Sequence, residues 1–512
     1  MLLVDDDGRN PEVDPDALAE SLRVGEPSHA SGALGSAAAL VARALLRRAR
    51  SVVWISADAE LATRAAQDAA FYADEGTRLA SLPSYEQSPW AEVAPDRRAA
   101  QARLAALAEL ASDAPPRLLT LPASALLRKV VPPALVRSQS RRIAVDADLD
   151  RDAFARALVE AGYLRSPLVE DPGCFAIRGA LLDLWSPTSP KPVRVELYGD
   201  AVLSIKEFDP DDQRSLRELD EVVVAPAREA PSGADFVARA RERLRDLCDS
   251  IDLASSKTRA LIDDVVGGRS FLGADGYLPA FVELVGLEAY LARDAVVLVE
   301  DPGTVVAELR AGLARAREER ARRGREPVFD EASFYVDTQA LERFFAERRV
   351  LCLHHGAVTA TGPLEGLAKL ELAPEGLPSL GVSDHAALER AIRGMRHERG
   401  HGQTLDPLVA QLGLWSEEGL STALVARTHA QAERLASLLS HRSIQLELAQ
   451  DGLPAGYLDD PSKRPPLLVT TGPLARGLAA PRAGFCLVTE EEIFGTRSER
   501  RAKRASERSS SS

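Results

Sequence analysis

Short strand-like runs alternate with helix-forming runs across residues 30–125 of this 512-residue chain, and this alternation constrains the fold more than any other feature. Two of the strand-like runs are VVWIS at 52–56 and RLLTL at 117–121. Strands that alternate with helices in this way are typical of βαβ units around a parallel sheet. We therefore predict an α/β domain that begins with residues 1–139.

The pattern changes after residue 140. A helix-forming stretch at 150–163 is followed by segments that alternate with period two, CFAIRGALLDLWSP at 174–187 and PVRVELYGDAVLSIKEFDP at 192–210. The four residues from Tyr198 to Ala201 suit the turn of a β-hairpin. These features predict a small α+β domain at 140–226.

The later residues return to long helices and apolar strands. The segment AVVLVEDPGT lies within 227–384, which we predict to be the second part of the first α/β domain. Residues 385–495 repeat a helix and strand alternation of their own and are predicted to form a separate small α/β domain. The basic and serine-rich residues 496–512 are interpreted as a linker tail.

Composition limits the classes of function. A net charge of -14 argues against a chain that coats a nucleic acid backbone as a whole. The 4 cysteines are scattered singly, so we expect reduced core thiols rather than a zinc or redox pair. The longest apolar runs fall far short of the roughly 20 residues of a spanning helix, and the acidic N-terminus lacks the features of a signal peptide. We therefore predict a cytoplasmic protein with no membrane partner.

The segment GALGSAAA at 32–39 partly matches the phosphate-binding pattern GxxxxGK[ST]. A working loop needs a second glycine for close backbone approach, a lysine for the β- and γ-phosphates and a hydroxyl for Mg²⁺. Alanines replace all three, so charge neutralisation and metal coordination are both lost. The predicted degenerate phosphate loop consists of Gly32, Gly35, Ser36, Ala37, Ala38 and Ala39, and we expect it to be inactive.

Two other segments imitate catalytic motifs. Residues His397 to His401 spell HERGH, a formal HExxH match in which two helical histidines would bind zinc. Glycines at 400 and 402 weaken the helix that must present both imidazoles, so we interpret the segment as an exposed helix end. Glu300-Asp301 resembles a magnesium-binding acidic pair and is interpreted as the end of a strand.

The predicted small domain contains the more informative polar residues, Arg165, Arg178 and Trp185. Arg178 falls on a strand that is otherwise suited to burial, close to Trp185. Arginine and tryptophan on one rigid sheet are residue types that anchor protein interfaces. Local ion pairs would explain the arginines equally well, and the residues alone leave both interpretations open.

Several segments, taken in order, resemble the N-terminal half of the bacterial transcription-repair coupling factors (Mfd). They are GALGSAAALVARAL, LPSYEQSPW, GCFAIRGALLDLWSP, PVRVELYGDAVLSIKEFDPDDQRS, PAREAP and VTEEEIFGTR. The resemblance covers nearly the whole chain and is most specific from Gly173 to Ser215. It implies a degenerate P-loop-type module similar to UvrB, an inserted small α+β domain, and a separate small α/β domain after them.

The resemblance also implies roles for particular residues. UvrB carries an intact GxTGSGKT at the position of GALGSAAA, so this segment is implied to be a relic kept for binding rather than hydrolysis. The small domain recruits UvrA in this family, and the matching positions are Arg165, Arg178 and Trp185. A further arginine of the UvrB version falls on Ala176, so some interface strength is expected to be lost.

Complete family members continue into an RNA-polymerase-binding domain and an ATP-driven DNA translocase. We expect this chain alone to be non-catalytic and without cofactors, since ATP, Mg²⁺, RNA polymerase and double-stranded DNA are implied to bind through regions absent from it. The prediction is the UvrA-recruiting portion of a factor for transcription-coupled nucleotide excision repair. The rival hypotheses are a residual nucleotidase at 32–39, a zinc hydrolase at His397 and His401, and a structural spacer whose sites have decayed.

Overall fold

A computed structural model of the chain describes residues 11–85, 87–93, 96–267, 273–355, 366–373, 376–399 and 405–495. These residues form a mixed α/β structure with two largely parallel sheets, one largely antiparallel sheet and a small two-stranded antiparallel sheet. Within the same ranges, no helix combines the length and the apolar character needed to cross a membrane.

The α-helices of the described residues follow the chain from α1 to α17. They are α1 (Pro15–Ser21), α2 (Ala37–Arg48), α3 (Ala59–Tyr72), α4 (Arg97–Leu110), α5 (Ala123–Leu127), α6 (Pro133–Gln139), α7 (Arg151–Glu160), α8 (Ala234–Asp249), α9 (Ser255–Val266), α10 (Leu278–Phe281), α11 (Pro302–Arg322), α12 (Thr338–Ala346), α13 (Ala368–Glu371), α14 (Ala386–Arg399), α15 (Asp406–Glu417), α16 (His429–Ser440) and α17 (Glu490–Phe494).

The strands of the described residues are numbered in the same way. They are β1 (Ser28–Ser31), β2 (Val52–Ser56), β3 (Leu79–Ser81), β4 (Leu118–Pro122), β5 (Arg141–Ala144), β6 (Leu164–Arg165), β7 (Cys174–Arg178), β8 (Leu181–Leu184), β9 (Val193–Tyr198), β10 (Ala201–Phe208), β11 (Ser215–Leu219), β12 (Glu221–Val224), β13 (Val296–Glu300), β14 (Arg349–His354), β15 (Ser421–Ala426), β16 (Glu447–Leu448), β17 (Leu467–Thr471), β18 (Leu478–Ala480) and β19 (Phe485–Thr489).

The first sheet has six parallel strands in the order β1-β14-β13-β2-β4-β3, which confirms the predicted parallel sheet. Every residue of β2 and β4 is buried, and apolar clusters cover both faces of the sheet. This two-sided burial explains why these strands are mostly apolar. Strands β13 and β14 come late in the chain but insert between β1 and β2, so the chain returns to complete the same sheet.

The second sheet, in the order β11-β10-β9-β8-β7-β6, lies in the part of the chain between α7 and β12. All its pairs are antiparallel except β6 with β7. Tyr198 pairs with Ala201, which confirms the predicted hairpin turn. The inner face of this sheet packs on helix α7 through Phe154 and Leu158, and the opposite face, which we name the outer face, carries the polar residues described below.

The third sheet has the order β16-β17-β15-β19-β18, with only β18 running antiparallel. One of its faces packs against α15 and α16. The other face shares a single apolar cluster with helix α2 and the first sheet. We name residues 405–495, which contain this sheet, the second α/β unit.

Candidate protein-binding site

The outer face of the small sheet is centred on a buried carboxylate. Asp183 lies in the middle of β8 and is 1 % exposed. Its two oxygens accept hydrogen bonds from Nε and Nη2 of Arg194 at 2.7 and 2.9 Å, and a further bond comes from Nη2 of Arg178 at 2.5 Å. A buried charge is costly unless it is paired and hydrogen-bonded, and here two guanidinium groups meet that need.

Arg178, one of the predicted site residues, ends β7 beside this carboxylate. The ion pair to Asp183 holds its guanidinium without covering it, since the side chain remains 44 % exposed. Arg194 is more enclosed, and its guanidinium carbon lies 4.7 Å from the centre of the Phe208 ring. The guanidinium of Arg178 is therefore held in a fixed position that solvent can reach, and Arg194 pairs with the same carboxylate.

Trp185, the second predicted site residue, follows β8 on the same outer face. Its indole Nε1 donates to the carbonyl of Ser189 at 3.0 Å, and its ring packs half-buried against the small cluster of Val169, Ala176 and Phe208. Trp185 lies opposite Cys174, four residues from Arg178 along β7, which corresponds to about 13 Å. Arg178 and Trp185 thus flank the Asp183 position on one rigid surface.

Arg165, the third predicted site residue, lies on the edge strand β6 and is exposed. The register pairs it with Phe175, which is buried in the inner core, while its neighbour Leu164 pairs with Cys174 on the outer face. Arg165 therefore lies on the strand next to that of Arg178. Its register places it on the inner face of the sheet, whereas Arg178 lies on the outer face. Leu164, which is 55 % exposed, is the edge residue that shares the outer face.

Sequence reasoning missed Asp183 and Arg194, although the single acidic residue inside LLDLW was a usable signal for a paired charge. It also missed a concentration of exposed apolar side chains in the small domain. Seven of the large apolar residues found exposed in the described part of the chain lie there: Val159, Leu164, Leu168, Tyr198, Leu203, Leu216 and Val223. Exposed apolar surface of this kind often marks a protein interaction site.

The GALGSAAA segment forms the turn between β1 and α2. Gly32 and Gly35 adopt the left-handed backbone region with φ of 82 and 58 degrees. Ser36 is the N-cap of α2, but its hydroxyl shares a hydrogen bond of 2.8 Å with the hydroxyl of Tyr72 instead of capping the helix. Ala37, Ala38 and Ala39 form the first helical residues, and all three are buried.

The cavity beside this segment is small, and both acidic and basic side chains line it. Its volume is about 100 Å³, whereas small-molecule sites occupy roughly 300 Å³ or more. Burial raises the pKa of Asp68, which lines the cavity, to about 7. Burial likewise raises the pKa of Glu300, which accepts hydrogen bonds from Trp54 and Ser56. A cavity of this size is too small to enclose a nucleotide.

The remaining motif candidates are the HERGH segment at 397–401 and the Glu300-Asp301 pair. His401 and the side chain of His397 lie outside the described residues. Among the residues that are described, no group of three or more histidine, cysteine or acidic side chains is arranged to hold a metal ion. Glu300 ends β13 as predicted. The cysteines are free thiols, buried at 248, 352 and 486 and half-buried at 174.

A family model described as "UvrB interaction domain" matches residues 142–229, the part of the chain that contains the small sheet. The fold and the outer face therefore place this chain among proteins that carry such an interaction module.

Individual relatives are more specific. The chain is 34% identical over 510 residues to the transcription-repair-coupling factor of Myxococcus xanthus, covering 95% of this chain and 40% of the relative. It is 29% identical over 473 residues to that of Mycobacterium bovis and 30% identical over 209 residues to that of Escherichia coli, covering 90% and 41% of this chain. These matches confirm the predicted resemblance to the transcription-repair-coupling factors, and the chain spans about two fifths of the length of the first of these relatives.

Proposed function

We propose that the small domain binds UvrA and that this chain is the UvrA-recruiting part of a transcription-repair-coupling factor. The observation that carries the proposal is the match of a UvrB interaction domain to 142–229, where the structure has an exposed arginine fixed on a rigid sheet. Arginine and aromatic anchors of this kind contribute a large share of binding energy in protein interfaces.

The arrangement of the outer face suggests how binding works. Because Asp183 already orients the Arg178 guanidinium, little conformational entropy remains to be lost when a partner carboxylate or carbonyl binds it. Trp185 adds apolar area at the other end of the same face, and its ring is already held by the bond to Ser189. Both anchors are therefore preorganised for a protein partner.

We further propose that Gly32–Ala39 is the degenerate phosphate loop of a UvrB-like module and does not hydrolyse ATP. The missing lysine and hydroxyl and the small volume of the adjacent cavity support this. ATP hydrolysis with Mg²⁺ and the contacts to RNA polymerase and double-stranded DNA are proposed to belong to parts of the relatives that this chain does not match.

Titration calorimetry of this chain against UvrA, without nucleotide, tests the main proposal. Arg178→Ala should weaken binding by about 2 kcal/mol, which is about 30-fold in Kd. Arg165→Ala, measured in the same series, shows whether the edge strand belongs to the interface. Arg322→Ala is the matched control, because Arg322 is another exposed, ion-paired arginine but lies on α11.

The result that would overturn the proposal is an absence of UvrA binding by the native chain. Equal losses in Arg178→Ala and Arg322→Ala would also contradict it, because the outer face would then have no special role.

A further inference from the structure

The GALGSAAA segment touches the second α/β unit at Gly35. A Cβ built on Gly35 would overlap the carbonyl oxygen of Gly477, and the Cβ of Leu478 lies just beyond. Both residues follow strand β17. We name residues 472–477, which connect β17 to β18, the docking loop.

The docking loop is held from the other side by helix α3. The backbone N–H of Ala475 donates to Asp68 Oδ1 at 2.6 Å, and Asp68 is almost fully buried. A Cβ on Gly472 would overlap the ring of Phe71, which also belongs to α3. The docking loop therefore fits between α3 and the start of α2, with glycines at its points of closest approach.

Helix α2 continues the contact along its length. Its buried residues share one apolar cluster with Leu474 of the docking loop and with side chains of β15, β17, β18 and β19. Farther along α2, Arg43 forms ion pairs with Asp74 at 2.6 Å and with Asp459 of the second α/β unit at 2.8 Å. Arg47 adds a second bond to Asp459, and these bonds lower the pKa of that carboxyl.

We infer that the degenerate loop and helix α2 form an intramolecular docking site that fastens the second α/β unit to the first sheet. The occupant is the docking loop, residues 472–477, and it takes the place that a phosphate group would take in an intact site. The small side chains at 37–39 serve this contact because they let helix α2 lie buried between two sheets.

This site explains two features that the UvrA-binding proposal leaves unused. The first is the pair of buried carboxylates: Asp68 accepts from Ala475, and Glu492 accepts from the N–H of Gly477 at 3.0 Å, so both bind backbone groups of the docking loop. The second is the pattern of glycines at 35, 472 and 477, each of which lies where a Cβ would overlap a neighbour. Asp68, Gly35 and Gly472 thus serve the contact between the docking loop and helices α2 and α3, whereas Glu492 and the close approach of Gly477 to Leu487 hold the docking loop within its own unit.

Hydrogen exchange measured by mass spectrometry tests the inference. Gly35→Ala should speed exchange at Ala475 of the docking loop by at least roughly tenfold, because the added methyl group separates the two surfaces and breaks the bond from the Ala475 N–H to Asp68. The matched control is Gly452→Ala. Gly452 has a similar φ of 64 degrees, but a Cβ there meets nothing within 4 Å. The Gly452→Ala variant therefore introduces the same kind of backbone strain without a steric overlap.

A second pair of variants approaches the site from the opposite side. Gly472→Ala should also speed exchange in the docking loop, whereas Gly413→Ala, at a helical glycine with open space around its Cβ, should not. Exchange within 142–229 serves as the internal reference, because opening of the docking site alone leaves the small domain protected.

Equal exchange in Gly35→Ala and Gly452→Ala, with the Gly472 and Gly413 variants also alike, would overturn the inference. Protection of residues 32–39 by MgATP in the native chain would overturn it as well, because the segment would then be a nucleotide site. None of these readouts involves UvrA, so failure here is distinguishable from failure of the recruitment proposal.

Discussion

The outer face of the small domain and the loop at the start of helix α2 use charge in opposite ways. On the outer face, a buried carboxylate, Asp183, holds the guanidinium of Arg178 where solvent and a partner can reach it. At the loop, a buried carboxylate, Asp68, binds a backbone N–H of the same chain and is covered by it. A buried acid thus supports an open binding surface in one region and a closed internal contact in the other.

The difference lies in what is left exposed after each carboxylate is paired. Arg178 keeps 44 % of its side chain accessible, whereas Ala37, Ala38 and Ala39 are at most 3% exposed. A surface can recruit a second protein only if its anchors are reachable before binding. The comparison therefore favours the proposed recruitment role for the small domain and the inferred internal role for the loop.

The largest effect is expected from Asp183→Ala. This change leaves Arg178 and Arg194 without their shared carboxylate, and removing one partner of a buried ion pair typically costs about 3 kcal/mol. Because Arg178 is partly exposed and screened by water, we expect a loss of about 2 kcal/mol in the free energy of unfolding, together with weaker UvrA binding. Thermal denaturation and calorimetry measure the two effects.

Asp152→Ala is the control for this variant, because Asp152 is 70% exposed and pairs only with the adjacent Arg151 in the described ion pairs. A stable Asp183→Ala protein with native UvrA affinity would break the comparison, since the buried acid would then have no part in presenting Arg178.

An intermediate effect is expected from pH at the internal contact. The raised pKa of Asp68, about 7, means that the folded state favours its protonated form. Its stabilising contribution is therefore present at low pH and is lost as pH rises through 7. Between pH 6 and 8 the free energy of unfolding should fall by about 1.4 kcal/mol from this group. The charged and titratable groups around it, whose own titrations must be considered, are Arg64, Tyr72, Glu300, His355, Asp384, Arg476 and Glu492.

The Asp68→Asn variant distinguishes the titration of Asp68 from that of the neighbouring groups. Asparagine keeps an oxygen acceptor for the Ala475 N–H but does not titrate. Chemical denaturation of both proteins at pH 6 and 8 is the measurement. If the asparagine variant lost stability with pH as steeply as the native chain, the pH dependence would have to come from other groups.

The smallest effect is expected from Leu164→Ser at the edge of the outer face. Leu164 is exposed and shares the face with Arg178, so it is expected to contribute apolar contact at the rim of the interface. Rim residues contribute little, and we expect a loss of about 0.5 kcal/mol in UvrA affinity with unchanged stability. Val223→Ser, another exposed apolar residue but on β12 outside the six-stranded sheet, is the control. Similar losses in both would mean that the interface extends beyond the outer face.

Much of the fold could be predicted because its signals are local. The strands β2 and β4 are mostly apolar, and the Tyr198–Ala201 turn follows from a few neighbouring residues. The position of β13 and β14 between β1 and β2 could not be read in the same way, because strand order depends on pairing between distant segments. Likewise, Arg178 and Trp185 were identified from their residue types, while Asp183 as their common support appeared only from the register of β7, β8 and β9.

The sequence by itself determined the class of sheet, the loss of the lysine and hydroxyl that phosphate chemistry requires, and the family resemblance of the small domain. Those properties depend on residue type and short spacing. Only the tertiary structure decided that Gly35 faces Gly477, that Asp68 is buried against Ala475, and that Arg178 is exposed. The physical reason is that burial and pairing depend on how strands and helices pack against one another, across neighbouring strands for Arg178 and between segments hundreds of residues apart for Gly35 and Asp68.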